Sequence, residues 1–229
     1  MEWHGLIVLA FLVVLFAARR EWRDERFRTL YLSTTRERNL DVSVLFCDLA
    51  GYSTYTAAAG PAQAAQMLAA YYSVAAPLIS KQFGGEVEKF VGDGIIATFN
   101  TRGDQSDHAL RAAGAALALQ RELGALADTH DGWPRVRVGV NSGPAMVREL
   151  GGSGYVAYAV VGDTMNMGSR LESNAPVGRV LIGSTTYELL PDETVVEPAI
   201  TLLVKGRTEP IEAYVLCAVP GRRRTSLVG

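Results

Sequence analysis

The chain has 229 residues, 48% of them apolar and 20% charged, with a formal net charge of −2. That composition excludes a disordered chain, a collagen-like repeat and a wholesale nucleic-acid coat, and two cysteines do not make a disulfide framework. The length is that of one domain plus an appendage.

The averages conceal three pieces. Residues 5–18 carry no charge, residues 19–38 hold seven Arg against four acids, and residues 41–229 carry 15 basic and 19 acidic side chains. A helix from Glu2 to Ala18 would be about 25 Å long, slightly short of a ~30 Å hydrocarbon core. Trp3 suits the near interface, and Arg19, Arg20 and Arg23 suit the far one. A cleaved signal peptide competes with this reading, but it wants a basic stretch ahead of the apolar run, where Glu2 and His4 stand. The positive flank comes after the run. Residues 1–18 are therefore expected to be a single-pass transmembrane anchor in the inner (plasma) membrane, with the following domain cytoplasmic. Residues 19–40 set Trp22, Phe27, Leu30 and Tyr31 among charges at loose helical spacing. This fits a solvated helical linker and equally a short parallel coiled coil that pairs two anchored chains.

From residue 41 strands and helices alternate. VSVLFCD (42–48) reads as a buried strand. A helix follows from Pro61 to Phe83, opened by its proline, stopped by Gly84-Gly85 and kinked or divided by Pro77. EVEKFV (86–91) and IIATF (95–99) flank Gly92-Asp93-Gly94, the strongest hairpin signal in the chain. Asp104 to Ala127 is an Ala/Leu-rich helix, and RVRVGVNS (135–142) is a strand alternating Arg with Val. Residues 144–162 suggest a hairpin arm turning at Gly151 to Gly154, and a helix runs from Thr164 to about Asn174. The remainder mixes short strands (179–183, 194–197, 200–204, 211–218) with a helix near 184–190, and residues 219–229 form a basic tail. The order indicates an α+β domain, residues 41–218, with helices packed on a mostly antiparallel sheet. Cys47 and Cys217 lie in apolar, strand-like stretches and are expected to be buried free thiols.

Asp48 ends a buried strand ahead of Leu49, Ala50, Gly51 and Tyr52. A carboxylate there could hold a cation while free backbone N–H groups of the turn receive phosphate oxygens; it could equally cap the turn. Asp93 sits at a hairpin tip, where Asp-Gly is also common for backbone reasons alone. Two aspartates on neighbouring strands beside a glycine turn are a usual way to hold two hard Mg²⁺ ions around a triphosphate. Lys89, inside a mostly apolar strand, is either snorkelling or aimed at a ligand. Asn166 and Arg170 are four apart and share a helix face, as a surface polar pair or as groups that orient a sugar and neutralise a phosphate. Histidines 4, 108 and 130 show no metal-ligand spacing.

Taken in order, FCDLAGY (46–52), EKFVGDG (88–94), RVGVNSGP (137–144), YAVVGDTMNMGSRL (158–171) and VKG (204–206) resemble the motifs of the class III nucleotidyl cyclase catalytic domain. The resemblance covers about residues 41–218. It implies a ferredoxin-like α+β fold and a homodimer with composite sites at its interface. It also implies an adenylate cyclase that converts ATP to 3′,5′-cyclic AMP and pyrophosphate with two Mg²⁺ or Mn²⁺ ions per site. By the same resemblance Asp48 and Asp93 are the metal ligands, Lys89 reads adenine, Asn166 and Arg170 orient the ribose and stabilise the pentavalent phosphorus, Lys205 contacts the terminal phosphates, and Leu49 to Tyr52 line the substrate. One position departs from the pattern. Ala159 stands where adenylyl cyclases usually carry Asp or Thr to accept from the adenine N6 amine, so ATP is inferred from Lys89 alone. A guanylate or dual-specificity cyclase, a degenerate nucleotide-binding or dimerisation module without turnover, and a non-catalytic membrane scaffold are the alternatives.

Overall fold

The computed structural model describes residues 36–152, 155–202 and 210–221; for Arg36, 150–152 and 155–157 only the backbone is described. The expected anchor (1–18), most of the linker, Lys205 and the tail from residue 222 lie outside the described residues. Among the described residues no helix is long and apolar enough to cross a membrane. The chain divides into two compact units, one of Met1–Arg38 with Arg148–Ala159, and a main one of Asn39–Val147 with Val160–Gly229.

Strand β1 runs from Arg36 to Leu49. It therefore begins inside the stretch read as helical linker, because Val42 to Leu45 are buried on both faces and the sheet pairing extends outward from them. Helix α1 (Tyr52–Ala59) was not expected: none of its residues is buried, so it carries no apolar stripe to announce it. Helix α2 (Pro61–Pro77) passes directly into a π turn at Leu78–Gln82. The expected break at Pro77 thus takes the form of a register change, and the Phe83 N–H closes on the Leu78 carbonyl at 3.2 Å. Strands β2 (Glu86–Val91) and β3 (Gly94–Phe99) make the expected hairpin, followed by helix α3 (His108–Asp128). Strand β4 runs unbroken from Val136 to Gly152, so the strand and the arm expected separately on either side of Gly143-Pro144 are one element. Strand β5 (Tyr155–Val161) pairs with it. Then come α4 (Asp163–Asn174), β6 (Val180–Gly183), α5 (Ser184–Glu188), β7 (Val195–Val196), β8 (Ile200–Leu202) and β9 (Ile211–Ala218).

The main path of the sheet is β2-β3-β1-β4-β6-β9-β7, with β8 on β9. The β4–β6 pair is parallel, while β1–β3, β2–β3, β6–β9, β7–β9 and β8–β9 are antiparallel, so the α+β expectation holds. One face of the sheet buries Leu45, Cys47, Ile95, Ala97, Val138 and Val140 against α2 and α3. Cys47 is buried, and burial pushes its thiol up to about 12. Cys217 corrects the expectation: it is exposed, because the last two residues of β9 run out past the core.

The other face is covered by α4 through Met167, Leu171 and Ala175, which pack on Leu181, Ala213 and Val215. This helix lies unusually close to the strands. A Cβ added at Gly139 would fall 2.2 Å from the Glu172 backbone nitrogen and 2.6 Å from the Gly168 carbonyl oxygen. One added at Gly168 would fall 2.7 Å from Val44 Cγ2 and 2.9 Å from Phe46 Cδ2. Glycine on both surfaces thus lets helix backbone rest on strand backbone. Since the clash at Gly139 is with main-chain atoms that cannot rotate away, Gly139→Ala is expected to destabilise the fold by about 3 kcal/mol or more, measured by urea unfolding.

A buried polar chain ties the elements at one end of the core. Ser43 Oγ lies 2.8 Å from His108 Nδ1 and 2.6 Å from Ser142 Oγ, and Thr186 donates to Ser142 Oγ at 3.0 Å. Burial holds the His108 pKa below its ordinary 6.5, opposed in part by Asp41 and Asp107. The unfolded chain therefore takes up this proton first as pH falls. Stability should decline below pH 6.5 with a slope of at most about 1.4 kcal/mol per pH unit from this group, and His108→Asn should flatten that slope in melts between pH 5 and 7.5.

Candidate active site

Antiparallel pairing of β1 with β3 reaches Cys47 opposite Ile95, and the next step sets Asp48 against the β2–β3 turn that carries Asp93. Gly94 leaves room for this approach: a Cβ there would meet Val91 O at 3.2 Å and Asp48 Oδ1 at 3.8 Å. Asp48 and Asp93 lie within hydrogen-bonding reach of each other. Burial, that hydrogen bond and the charge of Asp48 push the Asp93 carboxyl up to about 6, although the backbone N–H groups of Asp93 and Leu49 both act to lower it. Two hard oxygen donors confined this closely hold surplus negative charge, which a divalent cation would relieve. Among the described residues no group of three or more His, Cys, Asp or Glu side chains could hold a metal ion, so protein ligands beyond the two aspartates are not of these types. The pair thus suits Mg²⁺ or Mn²⁺, which fill their remaining positions with water, backbone carbonyls and phosphate oxygens.

On its other side Asp48 meets Arg137 of β4, the first residue of the RVGVNSGP motif, to which the sequence by itself assigns no role. Arg137 Nη2 donates to Asp48 Oδ2 at 3.1 Å and lies 3.3 Å from Glu172 Oε1 on α4. Glu172 is nearly buried; burial first, then the charge of Asp48, raises its pKa, and Arg137 opposes the shift. Its place in the site could not be foreseen, because helical spacing puts Glu172 on the core-facing side of α4, where a carboxylate has no local reason to be.

The substrate-lining group Leu49 to Tyr52 is only partly as expected. The Ala50 N–H is not free for phosphate, being bound to the Arg135 carbonyl at 2.9 Å, and the Leu49 side chain is buried in the core. Backbone pairing thus continues two residues past Asp48 and uses up that donor. Gly51, at φ 82°, is the N-cap of α1 with no side-chain cap, leaving the first amides of that helix, Tyr52 included, as the available donors. Lys89 is exposed, with its ammonium 3.7 Å from Glu88 Oε1. Val87 pairs with Ala97 but Lys89 with Ile96, so a bulge at Glu88 turns Lys89 to the face opposite the α2/α3 core. Asn166 is exposed on α4, Arg170 is half-buried, and Ala159 is half-buried on β5. Among the described residues no hydrogen bond or ion pair joins Asn166 or Arg170 to Asp48, Asp93 or Lys89. The fold brings the two aspartates together, and among the described residues it bonds neither of them to Lys89, Asn166 or Arg170. A wide surface groove between α3 and the end of β9, lined by Phe83, Leu110, Arg121 and Cys217, contains none of these residues.

Because the Asp93 pKa is raised, the metal-free folded protein loses stability as pH rises through about 6. Asp93→Asn should relieve about 1 kcal/mol at pH 7.5, the half-exposed carboxyl being screened by water. In melts with EDTA the variant should exceed the parent at pH 7.5 but not at pH 4, and it should lose the stabilisation that Mn²⁺ confers on the parent.

An adenylate and guanylate cyclase catalytic-domain family model matches residues 34–218. An adenylate cyclase of Mycobacterium tuberculosis is 30% identical over 177 residues, covering 75% of this chain and 40% of that protein. Adenylate cyclase 1 of Rhizobium meliloti is 27% identical over 220 residues, covering 93% of this chain and 30% of that protein. The chain thus spans less than half the length of these curated relatives. Among solved structures, the guanylyl cyclase Cya2 matches with TM-score 0.71 at 28% identity, over 83% of this chain and 98% of that one. The adenylyl cyclase CyaB from P. aeruginosa matches with TM-score 0.70 at 26% identity, over 82% of this chain and 98% of that one. With its two aspartates at the strand-end and hairpin positions and a family match over most of its length, this chain belongs to the adenylate and guanylate cyclase catalytic-domain family.

Proposed function

We propose that this chain is an adenylate cyclase that forms 3′,5′-cyclic AMP and pyrophosphate from ATP at the interface of a homodimer. The apposition of Asp48 and Asp93 carries the reading, and Lys89 carries the choice of ATP. The ribose 3′-oxygen forms its bond to the α-phosphorus in line with the breaking bond to the β-phosphate bridging oxygen. The 3′-hydroxyl proton passes to solvent, and pyrophosphate leaves. Asp48 and Asp93 would hold two Mg²⁺ or Mn²⁺ ions, whose chemistry when bound is to acidify the 3′-hydroxyl and neutralise the triphosphate. Arg170 meets the charge that grows on the α-phosphate, and Asn166 orients the ribose so that the 3′-oxygen faces phosphorus. Lys89 donates to adenine N1, which accepts a hydrogen bond, whereas guanine N1 donates one.

The lack of any bond from Asn166 or Arg170 to the aspartates, among the described residues, is compatible with a composite site, in which one chain supplies Asp48 and Asp93 and its partner supplies Lys89, Asn166, Arg170 and Lys205. Phe90 and Val91, on the hairpin beside Asp93, are 46% and 56% exposed and offer apolar surface for such a partner. A second reading, guanylate or dual specificity, is favoured by one observation: Ala159 has no side-chain acceptor for the N6 amine. Residues 1–18 would anchor the chain in the inner membrane, with the catalytic domain on the cytoplasmic side.

Product analysis of the full chain with ATP or GTP, and with Mg²⁺ or Mn²⁺, tests the reading; cyclic GMP from GTP with no cyclic AMP from ATP would overturn the choice of substrate. Asp48→Ala and Arg170→Ala should each lower kcat by about 100-fold or more, while mixing the two variants should restore activity through heterodimers with one intact site. Restoring an acceptor with Ala159→Thr or Ala159→Asp should raise the ATP-to-GTP ratio of kcat/KM by about tenfold.

A further inference from the structure

Arg137 touches both the candidate cation site and α4. Its Nη2 stands between Asp48 Oδ2 at 3.1 Å and Glu172 Oε1 at 3.3 Å, and its Nη1 is 3.4 Å from the Ser173 carbonyl oxygen. The same nitrogen is thus shared by two carboxylates. The Arg137 Nε and Glu172 Oε1 atoms are buried without a hydrogen bond of their own, so the Arg137–Glu172 contact is one of charge. The Glu172 carboxylate has little freedom to follow Arg137 elsewhere. Its backbone nitrogen rests on Gly139, two residues along β4 from Arg137, and Ser173 Oγ donates to Glu172 Oε2 at 3.3 Å.

A guanidinium on Asp48 and a divalent cation on Asp48 oppose each other, because both draw on the same carboxylate and like charges repel at contact distance. Whatever draws Arg137 toward α4 frees Asp48 for the cation. We propose that Glu172 is a positioning residue of the cation site: by holding Arg137 it sets how much of that guanidinium's charge rests on Asp48, and so how readily Asp48 and Asp93 take Mg²⁺ or Mn²⁺. The proposal rests on the reading of those aspartates as cation ligands. It adds a residue of α4 that touches neither substrate nor cation and acts through Arg137.

Mn²⁺ binding to the full chain, followed by electron paramagnetic resonance without nucleotide, tests it, with thermal melts to establish folding. Asp48→Asn should abolish the binding; if it does not, the reading of the cation site fails, whatever Glu172 does. Glu172→Asp keeps the charge but withdraws it from Arg137, and should raise the Mn²⁺ Kd about threefold; Glu172→Gln should raise it about tenfold. At saturating nucleotide the half-activating Mn²⁺ concentration should rise by the same factors, while kcat at saturating Mn²⁺ recovers. In an Arg137→Met background the Glu172→Gln effect should shrink to less than about twofold. A Kd unmoved by Glu172→Asp would overturn the proposal, as would a Glu172→Gln shift that persists in full without Arg137.

Discussion

The contact on which the rest of this structure depends is the seating of α4 directly on the backbone of β4, with β1 beneath it. An ordinary helix is held off a sheet by the side chains of both, but here Gly139 and Gly168 remove them, and main chain meets main chain. Close approach brings the Glu172 carboxylate within reach of Arg137, and through it to Asp48. It also buries Met167 and Leu171, which fixes the rotation of the helix and leaves Asn166 exposed and Arg170 half-buried. The glycines are therefore part of the functional design, although neither carries chemistry.

Charge at the site is arranged at a cost to the folded state. Asp48 and Glu172 share the Arg137 guanidinium while Asp93 stands against Asp48, and the raised pKa values of Asp93 and Glu172 record what it takes to keep the three carboxylates together. A fold selected for stability alone would not hold such a group half-buried. The crowding becomes favourable once positive charge arrives, which suits a site that must select divalent cations and a polyphosphate over water. The buried Ser43–His108–Ser142–Thr186 chain contrasts with this, because there each polar side chain finds a neutral partner.

Much of the fold was legible because local signals agreed with tertiary demands. The Gly92-Asp93-Gly94 turn and the Ala/Leu-rich α3 lie where pattern and turn chemistry put them, and β1 contains the apolar strand read at 42–48. Elements misread or missed have physical causes in common: α1 has no buried face, Pro77 is accommodated by a π turn, and Gly143-Pro144 passes through β4 without breaking it. The Ala50 amide, expected to be free, is taken by the Arg135 carbonyl because backbone pairing runs two residues past the strand read at 42–48.

By itself the sequence determined the family, most of the elements and the positions of the two aspartates. These follow from short motifs whose residues lie close along the chain, so their chemistry needs no folding to be recognised. Only the tertiary structure decided that Asp93 stands against Asp48, that Lys89 is turned by a bulge away from the α2/α3 core, and that Arg137 and Glu172 belong to the same cluster. Arg137 and Glu172 are brought together by a helix laid across a sheet, and no periodicity or spacing encodes a contact made possible by the absence of two side chains.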